Sequence, residues 1–124
     1  MTDLRSYLAG RFDRKVSSAL KVIEGFRAEL SERPIHALEW GNRAFEAGAE
    51  LAVYQPIAGM LKGDKDLDYV LAVARRELRN KIRQSHSTSE TSNMMGRLVC
   101  NAWAELVDEL ELHIEAEKKV EQSR

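Results

Sequence analysis

Apolar residues recur at steps of three and four along most of this chain, which is the spacing that places side chains on one face of an α-helix. The first such run extends from Asp3 to Leu30 and predicts a single long helix. Its apolar stripe consists of Leu4, Leu8, Phe12, Val16, Ala19, Leu20, Ile23, Phe26 and Leu30. We expect this stripe to face the core of the protein.

A second helix is expected to begin at Pro34, because a proline at the first helical position lacks only an N–H that would have no partner there. The side of this helix that should face the core carries Leu38, Phe45, Ala49 and Ala52. Pro56 removes a hydrogen bond from a helix interior and crowds the preceding turn. We therefore expect this helix to kink or end near Tyr54, with a short turn after it.

A third helix is predicted from Leu67 to Ile82, following Gly63 and Asp64, which supply a stop and an N-terminal cap. The segment 84–93 that comes next contains no apolar residue. Its Ser and Thr side chains compete with the backbone for hydrogen bonds, which disfavours a helix. The sequence therefore predicts a polar loop over 84–93.

The fourth helix should be capped by Ser92 or Asn93. Its apolar stripe consists of Met95, Val99, Ala102, Leu106, Leu110 and Ile114. The tail 116–124 is almost wholly polar and is expected to fray. No segment shows the alternation of apolar and polar residues that is typical of a strand, so we predict an all-α protein, an up-and-down helical bundle of four main helices.

The length of 124 residues corresponds to a single helical domain over 1–124, since domains usually have roughly 100 to 200 residues. Cys100 has no second cysteine to pair with, no apolar leader follows Met1, and no run approaches the roughly 18 apolar residues of a membrane span. We therefore expect a cytoplasmic protein that does not bind membranes. Glycine-rich phosphate loops, cysteine clusters and a repeated Glu-x-x-His motif are missing, so we expect no metal and no cofactor.

Charge is segregated along the chain although the net charge is only −1. The segment 5–27 holds six basic and two acidic residues, and 75–83 holds five basic residues and one acidic residue. The segment 105–121 has the opposite balance, with seven acidic and two basic residues. We therefore expect two basic helix faces and one acidic helix.

Arg75, Arg79 and Arg83 are spaced by four, so their guanidinium groups should form a row that contacts successive phosphates of a nucleic acid. A second row is expected on the first helix. Together the candidate phosphate contacts are Arg11, Arg14, Lys15, Arg75, Arg76, Arg79 and Arg83. An alternative stays open, because the acidic fourth helix can pair with these residues inside the monomer and cations complement the dipole at a helix C-terminus.

The run Leu78–His86 resembles the Arg-Asn…His motif of HEPN ribonuclease domains, which are small, helical and commonly dimeric. The resemblance implies that Arg79 would stabilise the charge on an RNA phosphate and that His86 would act as a general acid or base, without a metal. Six residues separate Arg79 from His86, the long end of that family's spacing.

In size, helical layout and split charge the chain resembles the small helical subunits of CRISPR effector complexes, which line the guide and target strands without reading sequence. The resemblance implies a non-catalytic subunit of a nucleoprotein assembly, whose basic faces position phosphates. Trp103 adjoins the stripe of the fourth helix without joining it, which predicts a surface for a protein partner or for self-association. The HEPN-like ribonuclease, and a protein-binding adaptor that touches no nucleic acid, remain as alternatives.

Overall fold

The computed structural model describes residues 3–85 and 90–123, together with their side chains except at 85 and 90–95. It contains four α-helices: α1 (Leu4–Glu32), α2 (Pro34–Leu61), α3 (Leu67–Ser85) and α4 (Glu90–Gln122). No strand occurs among the described residues. The prediction of an all-α, four-helix bundle is confirmed.

Helices α1 and α2 form a long antiparallel hairpin, joined by Arg33 and packed along most of their length. The side chain of Asp3 caps α1, because its Oδ1 accepts the N–H of Ser6 at 2.7 Å. The hydrogen bonds from Ser6 lower the pKa of Asp3. At the same end of the hairpin, Arg5 donates to the carbonyl oxygens of Leu61 at 3.2 Å and Gly63 at 2.9 Å, so a cation meets the C-terminus of α2.

The prediction that α2 ends near Tyr54 is wrong, since α2 continues through Pro56 to Leu61. A proline inside a helix costs about 3 kcal/mol. Pro56 and Ala52, whose carbonyl loses its partner, are both exposed, which leaves that carbonyl on the water side of the helix. The opposite side of this last stretch of α2 buries five apolar residues, and burial of each contributes about 1.5–3 kcal/mol when complete. They are Val53, Tyr54, Ile57, Ala58 and Leu61.

Helix α3 begins at Leu67, two residues later than a cap at Asp64 would place it. The N–H of Val70 donates to the carbonyl oxygen of Asp66 at 3.0 Å, so Asp66 occupies the position of the N-terminal cap. The prediction of a polar loop over 84–93 is wrong at both ends, because α3 includes Ser85 and α4 begins at Glu90. Residues 86–89 lie outside the described part, as do the side chains of the predicted caps Ser92 and Asn93. A polar sequence excludes burial of a segment, and it does not prevent an exposed helix.

The tail predicted to fray is helical as far as Gln122. Residues 115–123 are all exposed, in agreement with their polar sequence. An ion pair links this part of α4 to the bundle: Lys118 Nζ lies 3.2 Å from Oδ1 of Asp68 at the start of α3.

The hydrophobic core takes residues from all four helices. It consists of Leu8, Phe12, Val53, Tyr54, Ile57, Ala58, Leu61, Val70, Leu71, Ala74, Ala102, Trp103, Leu106, Val107, Leu110 and Ile114. The rings of Phe12 and Tyr54 meet edge to face, with centroids 5.1 Å apart. The core therefore lies where the N-terminal halves of α1 and α3 meet the C-terminal half of α2 and the central part of α4.

Two residues of the stripe predicted for α1 are exposed. Leu20 is 39% exposed and Leu30 is 50% exposed. Both belong to the part of α1 that extends toward Arg33, away from the core. The hairpin end of α1 and α2 is therefore less covered than the rest of the bundle.

Candidate nucleic-acid interface

The position of α3 in the bundle decides which of its basic residues reach solvent. Val70, Leu71 and Ala74 are buried in the core, so the opposite side of the helix faces outward. Arg76, Arg79 and Arg83 lie on this outward side and are all exposed. None of the three makes an ion pair within the described part of the chain.

Arg75 does not belong to this outward row, which corrects the prediction of a row spaced by four. Its Nε and Nη2 both lie 2.9 Å from Oε1 of Glu111 on α4. The rotation of 100° per residue places Arg75 on the flank of α3 next to α4, one position before the outward face. The outward row therefore consists of Arg76, Arg79 and Arg83, which are spaced by three and by four residues.

The second row, predicted on α1, is only partly available to a phosphate. Arg11 forms an ion pair with Glu109 of α4. The ammonium group of Lys15 lies 5.1 Å from the ring centroid of Tyr54, a cation–π arrangement. Arg14 is exposed and makes no ion pair in the segments that the structure describes. One cation of the predicted row is therefore left without a partner on α1.

The acidic residues of α4 explain which basic residues of α1 and α3 are paired. Glu109 faces Arg11 and Glu111 faces Arg75, so the predicted alternative, pairing of helix 4 with its neighbours, is correct for these two arginines. Both pairs are at the surface, where an ion pair contributes about 0.2–1 kcal/mol. The three arginines on the outward side of α3 make no ion pair with α4 or any other part of the chain that the structure describes.

The second residue of the HEPN-like motif, His86, lies outside the described residues. Arg79, the first, is exposed on the outward side of α3. The structure therefore places one of the two residues of that motif on the basic face, and the other stays a prediction.

Trp103 does not form the predicted partner surface. Its side chain is 5% exposed and belongs to the core, next to Val107 one turn further along α4. Helix α4 packs against both α3 and α2, and so it buries two adjacent faces. An aromatic residue on a second face is thus covered by the chain itself.

A different surface exposes large apolar side chains. At the hairpin end, Ile35 is 83% exposed, Leu38 80%, Phe45 51% and Leu30 50%. We call these four residues the apolar tip surface. Leu38 and Phe45 were expected in the core, and they are exposed because α1 and α4 cover other sides of α2. Gly41 and Gly48 beside them are open, since a Cβ atom on either would meet nothing within 4 Å.

The sequence contains a signal for this surface that hydrophobic periodicity alone does not show. One side of α2 carries no charged residue over its whole length: Ile35, Leu38, Asn42, Phe45, Ala49, Ala52, Pro56 and Gly59. The charged residues of α2 follow a parallel stripe: Glu39, Arg43, Glu46 and Glu50. Toward the C-terminus of α2 the charged stripe gives way to apolar residues on the same side of the helix. This is the side of α2 that packs in the core.

The clefts between helices are shallow and open. One cleft, of about 260 Å³, lies between α2 and α4 and is lined by Glu46, Glu50 and Glu105. Burial, together with Glu105 and Glu50, raises the pKa of the nearby Tyr54 to about 12. Among the described residues, no group of His, Cys, Asp and Glu is arranged to hold a metal ion.

Comparison of the chain with models of protein families, with curated proteins and with solved structures found no match. In the described segments, no helix combines the length and the apolar composition that are needed to cross a membrane.

Proposed function

We propose that this protein is a non-catalytic helical subunit of a nucleoprotein assembly. It contacts the phosphate backbone of a nucleic acid through the outward side of α3 and another protein chain through the apolar tip surface. One observation carries the proposal: Arg76, Arg79 and Arg83 are exposed and make no ion pair with any described residue, whereas Arg11 and Arg75 are paired with acids of α4.

The spacing of the three arginines suits a phosphate backbone. At a rise of 1.5 Å per residue they are separated by about 4.5 and about 6 Å along the helix axis. Guanidinium groups bind phosphate oxygens through two parallel hydrogen bonds, which lysine does not provide. Contacts of this kind position the strand and carry no information about base sequence.

The experiment that tests the proposal measures the affinity of the protein for a labelled single-stranded RNA at several salt concentrations. Each phosphate contact contributes about 0.7 to the slope of log affinity against log salt for a single strand. The variant Arg76→Ala/Arg79→Ala/Arg83→Ala should lose up to about 2 from this slope, irrespective of the RNA sequence. Replacement of Arg79 by Glu should weaken binding more than replacement by Ala.

A matched control separates this site from net charge. The variant Arg33→Ala/Arg43→Ala/Lys119→Ala removes the same number of positive charges from exposed positions away from the outward side of α3. It should keep most of the affinity and slope of the parent protein. Equal losses in both variants would show that binding depends on net charge and would contradict a site on α3.

The same samples distinguish a subunit from the HEPN-like alternative. The parent protein, incubated with varied single-stranded RNAs in the presence of a chelator, should leave them intact. Cleavage that is lost in His86→Ala would contradict the non-catalytic proposal and favour the ribonuclease.

The adaptor alternative is favoured by the apolar tip surface. Exposed apolar patches of this kind mark contacts with other proteins more often than chance exposure does. Ile35 and Leu38 are together almost fully exposed, and neither contributes to the core. Protein packing and phosphate contact involve different surfaces and are therefore separable by substitution.

A further inference from the structure

An exposed aromatic residue lies on the same side of α3 as the three arginines. Tyr69 is 49% exposed, although large aromatic side chains usually dominate a core. It precedes Arg76 by seven residues, which is two helical turns, so the two side chains project from the same side about 10.5 Å apart along the axis. The outward side of α3 thus presents an aromatic ring followed by three guanidinium groups.

The charges around Tyr69 are mixed, and the positive charge on this side of α3 lies between Tyr69 and Arg83. Lys65 Nζ lies 5.4 Å from the centroid of the Tyr69 ring. Asp68, the acidic neighbour of Tyr69 on α3, is paired with Lys118 at 3.2 Å. The acidic residues Asp64 and Asp66 lie in the turn before the helix. A polyanion is therefore attracted from Tyr69 toward Arg83 and repelled beyond the N-terminus of α3.

We propose that the outward side of α3 binds a single-stranded polynucleotide, one base of which stacks on the ring of Tyr69 while Arg76, Arg79 and Arg83 contact its phosphates. This inference rests on the proposed function and adds the kind of strand that is bound. A base in a duplex is paired and stacked on its neighbours, so it does not reach a ring on the surface of a helix. An unpaired base does, and stacking accepts any base because every base has a π-face.

The dimensions of this surface fit a short stretch of strand. Tyr69 and Arg83 are 14 residues apart, or about 21 Å along the helix axis. At the rise of about 3.4 Å per nucleotide of a fully stacked strand this corresponds to about six nucleotides, and a more extended strand spans it with fewer. Lys65 is on a flexible stem, so it moves from the ring of Tyr69 to a phosphate when a base takes its place.

The test compares three probes of equal length: a single-stranded oligonucleotide, a duplex of the same sequence, and a single strand without bases. Tyr69→Ala should bind the base-bearing single strand about five- to a hundred-fold more weakly than the parent protein does. It should bind the strand without bases as the parent does. Tyr69→Phe keeps the ring and should restore the affinity, and circular dichroism should show that both variants remain helical.

A second tyrosine provides the control for loss of an aromatic side chain in general. Tyr7 on α1 is 42% exposed, close to the exposure of Tyr69, and its ring contacts His113. Tyr7→Ala should leave the affinity for all three probes unchanged. A comparable loss in both tyrosine variants would contradict a specific role of Tyr69.

The outcomes separate this inference from the proposed function. If Tyr69→Ala binds the base-bearing strand as tightly as the parent does, while the triple arginine variant loses affinity, stacking is wrong and phosphate contact stands. Equal or tighter binding of the duplex by the parent would also contradict the inference. If the triple arginine variant binds every probe like the parent, both the inference and the proposed function fail.

Discussion

The indole ring of Trp40 on α2 lies directly against the backbone of α1 at Gly25. A Cβ atom added to Gly25 would be only 2.9 Å from Cζ3 of Trp40. The guanidinium carbon of Arg43 lies 5.2 Å from the centroid of the same indole ring. This contact explains why α1 contains a glycine in its interior, where a glycine is about 1 kcal/mol less favourable than an alanine.

Two glycines of α1 should therefore respond oppositely to the same substitution. Gly10→Ala should raise the free energy of unfolding by about 0.5–1 kcal/mol, because a Cβ there meets nothing within 4 Å and alanine favours the helix. Gly25→Ala should lower it, because the ring of Trp40 must shift away from α1. Urea unfolding of both variants measures the difference. A gain in stability for Gly25→Ala equal to that for Gly10→Ala would mean that Trp40 moves without loss.

The sequence predicted where most helices lie, and it predicted less well the features that depend on how the helices pack. The start of α2 at Pro34 depends on local chemistry, which the sequence contains. Whether α2 continues past Pro56 depends on how much apolar surface the following turn buries. That quantity is a property of the packed bundle, and it exceeds the local penalty of a proline.

The candidate site illustrates the same limit. Residues spaced by four, such as Arg75, Arg79 and Arg83, lie near one side of a helix. Residues spaced by three and then four do so equally well, and Arg76, Arg79 and Arg83 have this spacing. The choice between Arg75 and Arg76 depends on where α4 lies, since Glu111 pairs with whichever arginine faces it. Only the packing of α3 against α4 supplies that information.

The pairing of Arg75 with Glu111 leads to a prediction about binding. Glu111→Gln should release Arg75, which then adds one cation near the outward row of α3. The affinity for a single-stranded RNA should rise, and the salt slope should increase by up to about 0.7. Titrations at several salt concentrations measure both quantities.

The control for this prediction is Glu115→Gln, which removes the same charge one turn further along α4, at an exposed position. It should change the affinity less than Glu111→Gln does. Equal effects would indicate that only net charge matters. The stability of either variant should change by no more than about 1 kcal/mol, since both carboxylates are at the surface.

The buried phenol of Tyr54 should make the protein sensitive to alkaline pH. Burial, with Glu105 and Glu50 nearby, raises its pKa from 10.0 to about 12 in the folded protein. The folded state therefore binds the phenolic proton more tightly than the unfolded state. The resulting contribution is fully present below pH 10 and is lost as the pH rises from 10 toward 12.

The loss amounts to about 2–3 kcal/mol, because one pKa unit corresponds to about 1.4 kcal/mol. Tyr54→Phe has no proton to lose, so its free energy of unfolding should depend less on pH over this range. Urea unfolding at pH 8 and at pH 11 should reveal the difference between the parent and this variant. Parallel pH profiles for the two proteins would show that the pKa of Tyr54 is the same in the folded and unfolded states, which would contradict this prediction.

The apolar tip surface should mediate association of the protein with another chain, and a second copy is the partner that purified protein can test. Ile35→Ser/Leu38→Ser should reduce self-association strongly, because full burial of one such side chain contributes about 1.5–3 kcal/mol. Analytical ultracentrifugation over a range of concentrations should show the parent exceeding its monomer mass of 14.1 kDa while this variant stays closer to it.

Leu112→Ser/Val120→Ser is the control, since these α4 residues are 67% and 53% exposed at a distance from the tip surface. That variant should associate like the parent, because a loss caused by apolar surface in general would affect both. Helix content should not change in either variant, because none of the four residues is part of the core. A parent protein that remains a monomer at the highest concentrations would contradict self-association, and the tip surface would then serve a chain of different sequence.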